Sequence, residues 1–128
     1  LADGVILKSQ AHLVASKTAD WSDEARARAR TILDRVSSEA RARRSREVRT
    51  RLDDAAGALE AAAPLGVVAP FGLPVPGQPL TLHVPAGRVA ALADLLRARG
   101  ADRVTVSKLD WVFAADNEMA DALDAALA

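Results

Sequence analysis

Apolar and polar positions change period several times along the chain, and each change marks a different element. Val5 to Leu7 and Ala11 to Val14 are short apolar runs separated by the polar step Lys8-Ser9-Gln10, which predicts two short strands. Further on, Ala25, Ala29, Ile32, Leu33, Val36 and Ala40 recur at helical spacing. Asp20 and Ser22 are candidate N-caps for this helix, and Asp23 and Glu24 sit where a helix N-terminus favours carboxylates. From Arg41 to Arg51 the apolar period almost vanishes, with Val48 the one large apolar side chain. The residue types there still favour helix, so one long helix or two with a break near Ser45 both fit.

Ala55 to Ala63 is alanine-rich and helical by propensity, and Pro64 ends it because a proline ring disfavours helix at the residue before it. Residues 64–79 hold all but one of the six prolines and read as a connector containing a short strand at Val67 to Ala69. Pro79 to Val84 then alternates as a strand. Pro85 to Arg99 places Val89, Leu92, Leu95 and Leu96 on one helical face, and Gly100 stands where a C-cap glycine belongs. Val104 and Val106 open a strand running toward Phe113. Residues 79–113 thus predict a β-α-β unit whose two strands lie parallel, joined by a right-handed crossover. Met119, Leu123 and Leu127, four apart, predict a closing helix over 117–127.

Composition narrows the picture. At 128 residues the chain is one domain, or one and a fragment of another, on a prior of roughly 150 residues per domain. Aromatics make up only 3%, so Ala, Leu and Val must fill the core. Seventeen basic against seventeen acidic residues leave no net charge to draw the whole chain to nucleic acid or an anionic membrane. With no cysteine and two histidines there is no disulfide framework, thiolate nucleophile or Cys-based zinc site. Absent any spanning or signal-like segment, the expectation is a cytoplasmic protein. Leu1 in the first position suggests a segment of a longer chain.

Charge is nonetheless unevenly placed. Arginines dominate residues 26–51, whereas the stretch from Asp110 to Ala128 carries five acids and no base. An arginine run serves a phosphate ligand or nucleic acid, but no aromatics are interleaved to stack bases, so a solvated helix face is the plainer reading. The opposite charges can pair within or between chains. His12 and His83 have no neighbouring acid or second ligand in sequence. Ser9, Ser16 and Ser107 lack the nucleophile elbow, and no glycine-rich phosphate loop is present. Trp111 and Phe113, two apart, read as core or interface anchors on one strand face.

The succession of segments resembles a known family. Gly4-Val5-Ile6-Leu7-Lys8-Ser9-Gln10-Ala11-His12-Leu13-Val14-Ala15 is similar to the stretch following the phosphoribosyl-pyrophosphate loop of ATP phosphoribosyltransferase, the first enzyme of histidine biosynthesis. Ile32-Leu33-Asp34-Arg35-Val36 resembles that family's helix before its C-terminal module. Val67 to Phe71, Leu80 to Pro85 and Leu95 to Val106 resemble the last β-α-β of the regulatory module in the long form.

The resemblance implies an α/β chain: the tail of a periplasmic-binding-protein-like catalytic domain over 1–44, a helical and Pro-rich connector over 45–78, and a reduced ferredoxin-like (ACT-like) module over 79–128. The family's first strand would fall on Glu47 to Leu52, which is charged and short, so that half is expected to be helical or missing. The resemblance further implies a parent transferase acting on ATP and phosphoribosyl pyrophosphate with magnesium, a homo-oligomer, and histidine as effector. It implies no nucleic-acid or membrane partner. Effector or interface positions are expected at Val67, which stands where the family has Thr, at His83 and at Arg103; catalytic residues are expected upstream of Leu1. The alternative is a free-standing sensing or assembly module without enzymatic activity.

Overall fold

The computed structural model describes Ser16 and residues 21–127. The expected strands at Val5 to Leu7 and Ala11 to Val14, the N-cap candidate Asp20, and His12 lie outside the described residues.

Helix α1, Asp23–Arg44, begins where the sequence places it: the Ser22 side chain accepts a hydrogen bond from the Ala25 N–H, and Asp23 and Glu24 occupy the first turn. It ends at Ser45, whose backbone is already extended. The next element is not a second helix but strand β1, Ser45–Thr50. The expectation that this stretch is helical, or that the first half of the module is missing, is therefore corrected, and the reason is tertiary. β1 lies at the centre of a three-stranded sheet, flanked antiparallel on one side by β2, Leu80–Pro85, and on the other by β3, Val104–Lys108. Pairing on both edges outweighs the weak helix preference of Arg and Glu.

Period two is present in β1, but disguised. Arg46, Val48 and Thr50 share the face that looks onto the helices, opposite Val84, Leu82 and Leu80 of β2. Only Val48 is apolar. Thr50 is buried because its hydroxyl donates to the Arg103 carbonyl at 2.8 Å, and the Arg46 guanidinium turns back onto the carbonyls of Arg43 and Ser45.

Helix α2, Ala55–Ala62, is capped by the Asp54 side chain, which accepts from the Gly57 N–H, and runs into a single 3-10 turn, Ala63–Leu65, that contains Pro64. The helix thus ends one residue earlier than expected, with the proline inside the turn. The strand expected at Val67 to Ala69 is reduced to one antiparallel bridge, Val68 to His83, on the outer edge of β2. β2 leads through a 3-10 turn, Ala86–Arg88, into α3, Val89–Ala98. Gly100, with φ +101°, donates to the Arg97 carbonyl while Ala101 donates to that of Leu96. That pair of bonds closes the helix as a Schellman motif, which the left-handed glycine permits.

The β2-α3-β3 unit has parallel strands as expected, since both run antiparallel to β1, but they are not neighbours. β1 is inserted between them. The connector assigned to 45–78 is corrected with it: Val48, Ala58, Ala62 and Val67 join Leu80, Leu82, Val84, Leu92, Leu96 and Ala101 in one core. β3 also stops at Lys108 rather than running to Phe113, so Trp111 and Phe113 sit in the following loop, where their rings stack at 5.8 Å. Val106 is 45% exposed because it lies on an edge strand.

The chain closes with α4, Glu118–Leu127, which packs on α1. Asn117 is buried at its start, accepting from the Ala120 N–H at 3.1 Å and from the Ser37 hydroxyl at 3.2 Å. Arg30 pairs with Asp124 and, at 4.0 Å, with Asp121; Arg41 pairs with Asp116 at 3.6 Å and donates to the Val112 carbonyl. The opposite charges of the two chain regions therefore meet within one chain. They also fix which side of α1 is covered. Ser38, Arg41 and Ala42 turn inward, while Ile32 and Val36, on the apolar stripe read from the sequence, remain 54% and 41% exposed. At 3.6 residues per turn the two faces are separated by roughly 150°.

Leu92 is fully buried, so Leu92→Ala should lower stability by about 2–5 kcal/mol, read from the urea denaturation midpoint. Asn117→Ala, which removes a helix cap, should cost about 0.5–2 kcal/mol. Arg30→Gln breaks only half-exposed ion pairs and should cost no more than about 1 kcal/mol. A loss from Arg30→Gln as large as that from Leu92→Ala would mean that the α1–α4 contact is held chiefly by charge.

Candidate functional site

The three positions singled out from the sequence do not converge. Val67 is buried, and its side chain joins the floor of a concavity of about 470 Å³ between α2 and the loop that carries Gly72 and Leu73. Ala56, Leu59 and Val68 complete an almost wholly apolar lining, relieved by Glu60. A valine here offers no side-chain hydrogen bond to a polar ligand.

His83 lies on the sheet face opposite the helices. There it forms one row with Val68 on its outer side and with Glu47 of β1 and Ser107 of β3 on its inner side. His83 Nε2 and Glu47 Oε2 are 3.4 Å apart, and both side chains are largely covered. His83 therefore has an acidic partner that sequence distance hid, because 36 residues separate the two. Its geometry is that of a cross-strand pair within the sheet.

Arg103 lines a different and larger concavity, about 780 Å³, where the end of β1, the turn after α3 and the start of β3 meet. Arg49, Arg51 and Arg99 line it as well, together with Asp53 and Asp102. Their backbones are fixed. The Thr50 hydroxyl holds the Arg103 carbonyl, the Thr105 hydroxyl reaches the Arg49 carbonyl at 3.4 Å, and the Schellman turn sets Arg99 and Gly100. Sequence reasoning does not single out Arg49, Arg51 or Arg99 as site residues. The available signal is the i, i+2 spacing of Arg49 and Arg51, which is meaningful only once that stretch is a strand.

The described residues contain no group of three or more His, Cys, Asp or Glu side chains able to hold a metal ion. Nor is any helix among the described residues long and apolar enough to cross a membrane. Much of the arginine run is matched by acids: Arg28 with Glu24, Arg43 with Glu39, and Arg30 and Arg41 with the tail.

No protein-family model matches the chain. Curated proteins do. A protein of Nitrobacter winogradskyi named ATP phosphoribosyltransferase is 52% identical over 126 residues, which covers 97% of this chain and 39% of that protein. Proteins of the same name from Rhodopseudomonas palustris and Bradyrhizobium diazoefficiens are 50% and 51% identical over 129 residues, covering 99% of this chain and 40% of theirs. The chain thus spans about two fifths of the length of these curated relatives. With about half of its residues identical over nearly its whole length, the chain is similar to one part of the proteins named ATP phosphoribosyltransferase.

Proposed function

We propose that the chain is the C-terminal portion of an ATP phosphoribosyltransferase and serves regulation and assembly within it. The parent enzyme transfers the phosphoribosyl group from phosphoribosyl pyrophosphate to N1 of ATP and releases pyrophosphate, with magnesium, in the first step of histidine biosynthesis. The observation that carries this reading is the match itself: about 50% identity along 97–99% of the chain, with relatives that extend well beyond it.

The fold supports a division of labour. Residues 45–108 follow the order strand, helix, single bridge, strand, helix, strand, with β1 between the two strands of the second β-α-β unit. That is the ferredoxin-like, ACT-like arrangement, with its second strand cut down to Val68. β3 is paired on one side only and exposes Thr105 to Lys108, an open edge of the kind through which a homo-oligomer is built. Helix α1 belongs, in this reading, to the tail of a periplasmic-binding-protein-like catalytic domain. Its outward Ile32 and Val36 are then the residues that pack on the rest of that domain.

No phosphate-binding loop is present among these residues, so the 128-residue chain alone should release no pyrophosphate from ATP and phosphoribosyl pyrophosphate above a buffer blank. A chimera in which the chain replaces the matching 39% of the Nitrobacter winogradskyi protein should release it. A folded but inactive chimera would overturn the assignment and favour a free-standing module. Calorimetric titration of the active chimera with histidine should show at most weak binding, because Val67 brings no hydroxyl to the effector position. Tight one-to-one binding would show that backbone groups suffice there.

A further inference from the structure

Of the fourteen arginines, Arg26, Arg35, Arg44, Arg88 and Arg97 form no salt bridge among the described residues and line no common concavity, and the other nine divide into two populations. Arg28, Arg30, Arg41 and Arg43 are ion-paired, and Arg46 is turned onto backbone carbonyls. Arg49, Arg51, Arg99 and Arg103 form no salt bridge among the described residues, although all four line the same concavity and two carboxylates line it with them. Four guanidiniums against Asp53 and Asp102 leave a formal surplus of two positive charges in a space of about 780 Å³. Like charges gathered without partners repel one another, and nothing in the core requires them there: all four side chains are exposed, and the backbone bonds that fix them come from Thr50, Thr105 and the turn at Gly100.

We propose that this concavity binds an anion carrying two adjacent phosphoryl groups. A guanidinium offers a planar fork of donors that matches phosphate oxygens two at a time, and four forks carried by the end of β1, the turn after α3 and the start of β3 suit a ligand that spans them better than a single phosphate. The space falls within the 300–1,000 Å³ range typical of small-ligand sites. Val67 and His83 lie elsewhere, so of the three positions expected for an effector or interface only Arg103 lines this site. The inference does not rest on the enzymatic reading, and its test uses the 128-residue chain by itself. Two sources share the chemistry: inorganic pyrophosphate, and the phosphate tail of a nucleoside diphosphate.

The test is calorimetric titration of the chain with inorganic phosphate, inorganic pyrophosphate and ADP. Pyrophosphate should bind one to one, more tightly than phosphate, and more weakly as salt is raised. Arg49→Gln combined with Arg103→Gln should weaken binding roughly tenfold or more, since each removes charge-assisted hydrogen bonds, while the melting temperature stays unchanged. Arg28→Gln with Arg43→Gln, which removes the same charge elsewhere, should leave binding as it is. Equal affinities for pyrophosphate and ADP would assign the inorganic anion as ligand, and markedly tighter ADP binding would assign the nucleotide. No binding of either, or equal losses from both double variants, would overturn the proposal.

Discussion

The fold depends on one strand having two neighbours. β2 and β3 belong to a crossover unit whose helix holds them a strand's width apart, and β1 fills the space by pairing with both. Without it, α3 would cover two strands that share no hydrogen bond, and the fully buried Leu82, Leu92 and Leu96 would lose the floor that Val48 supplies. The insertion also explains why so small and aliphatic a core suffices. Thr50 converts a buried polar group into a lateral tie by donating to Arg103, and the two crossover helices need only Ala, Val and Leu to seat on the sheet.

How much of this is legible in the sequence depends on where the local pattern carries the packing. α1, α2, α3 and α4 are readable because each has its caps or apolar spacing written in consecutive residues: Ser22 with Asp23 and Glu24, Leu92 with Leu96, Gly100 after Arg99. β1 is hidden. Its inward row is Arg46, Val48 and Thr50, so two of its three inward positions satisfy themselves through backbone carbonyls rather than through apolar burial. A pattern of hydrophobicity cannot register a residue that is inside because it is hydrogen-bonded. The same blindness conceals most of the candidate site, since Arg49, Arg51, Arg99 and Arg103 come together only after β1 is placed beside β3. The family resemblance locates Arg103 but not its neighbours.

Helix α1 shows the opposite failure. Its apolar stripe is buried at Leu33 but left exposed at Ile32 and Val36, because here charge and hydrogen bonding take part in the docking of α4. Arg30, Ser37 and Arg41 face the tail, and Ile32 and Val36 face away. A helix whose polar face is the one engaged within its own chain has its hydrophobic face left over for something larger.

The central position of β1 also orders events in time. Its partners arrive late: the Arg103 carbonyl that receives the Thr50 hydroxyl lies 53 residues further along the chain. At synthesis rates of about 5–20 residues per second, the strand waits roughly 3–10 s on the ribosome before its second edge can close. During that interval a charged, weakly helical segment is less prone to adhere to other nascent chains than an apolar strand would be. The composition that makes β1 hard to recognise is thus also what lets the middle of the sheet remain unpaired, without harm, until its last strand emerges.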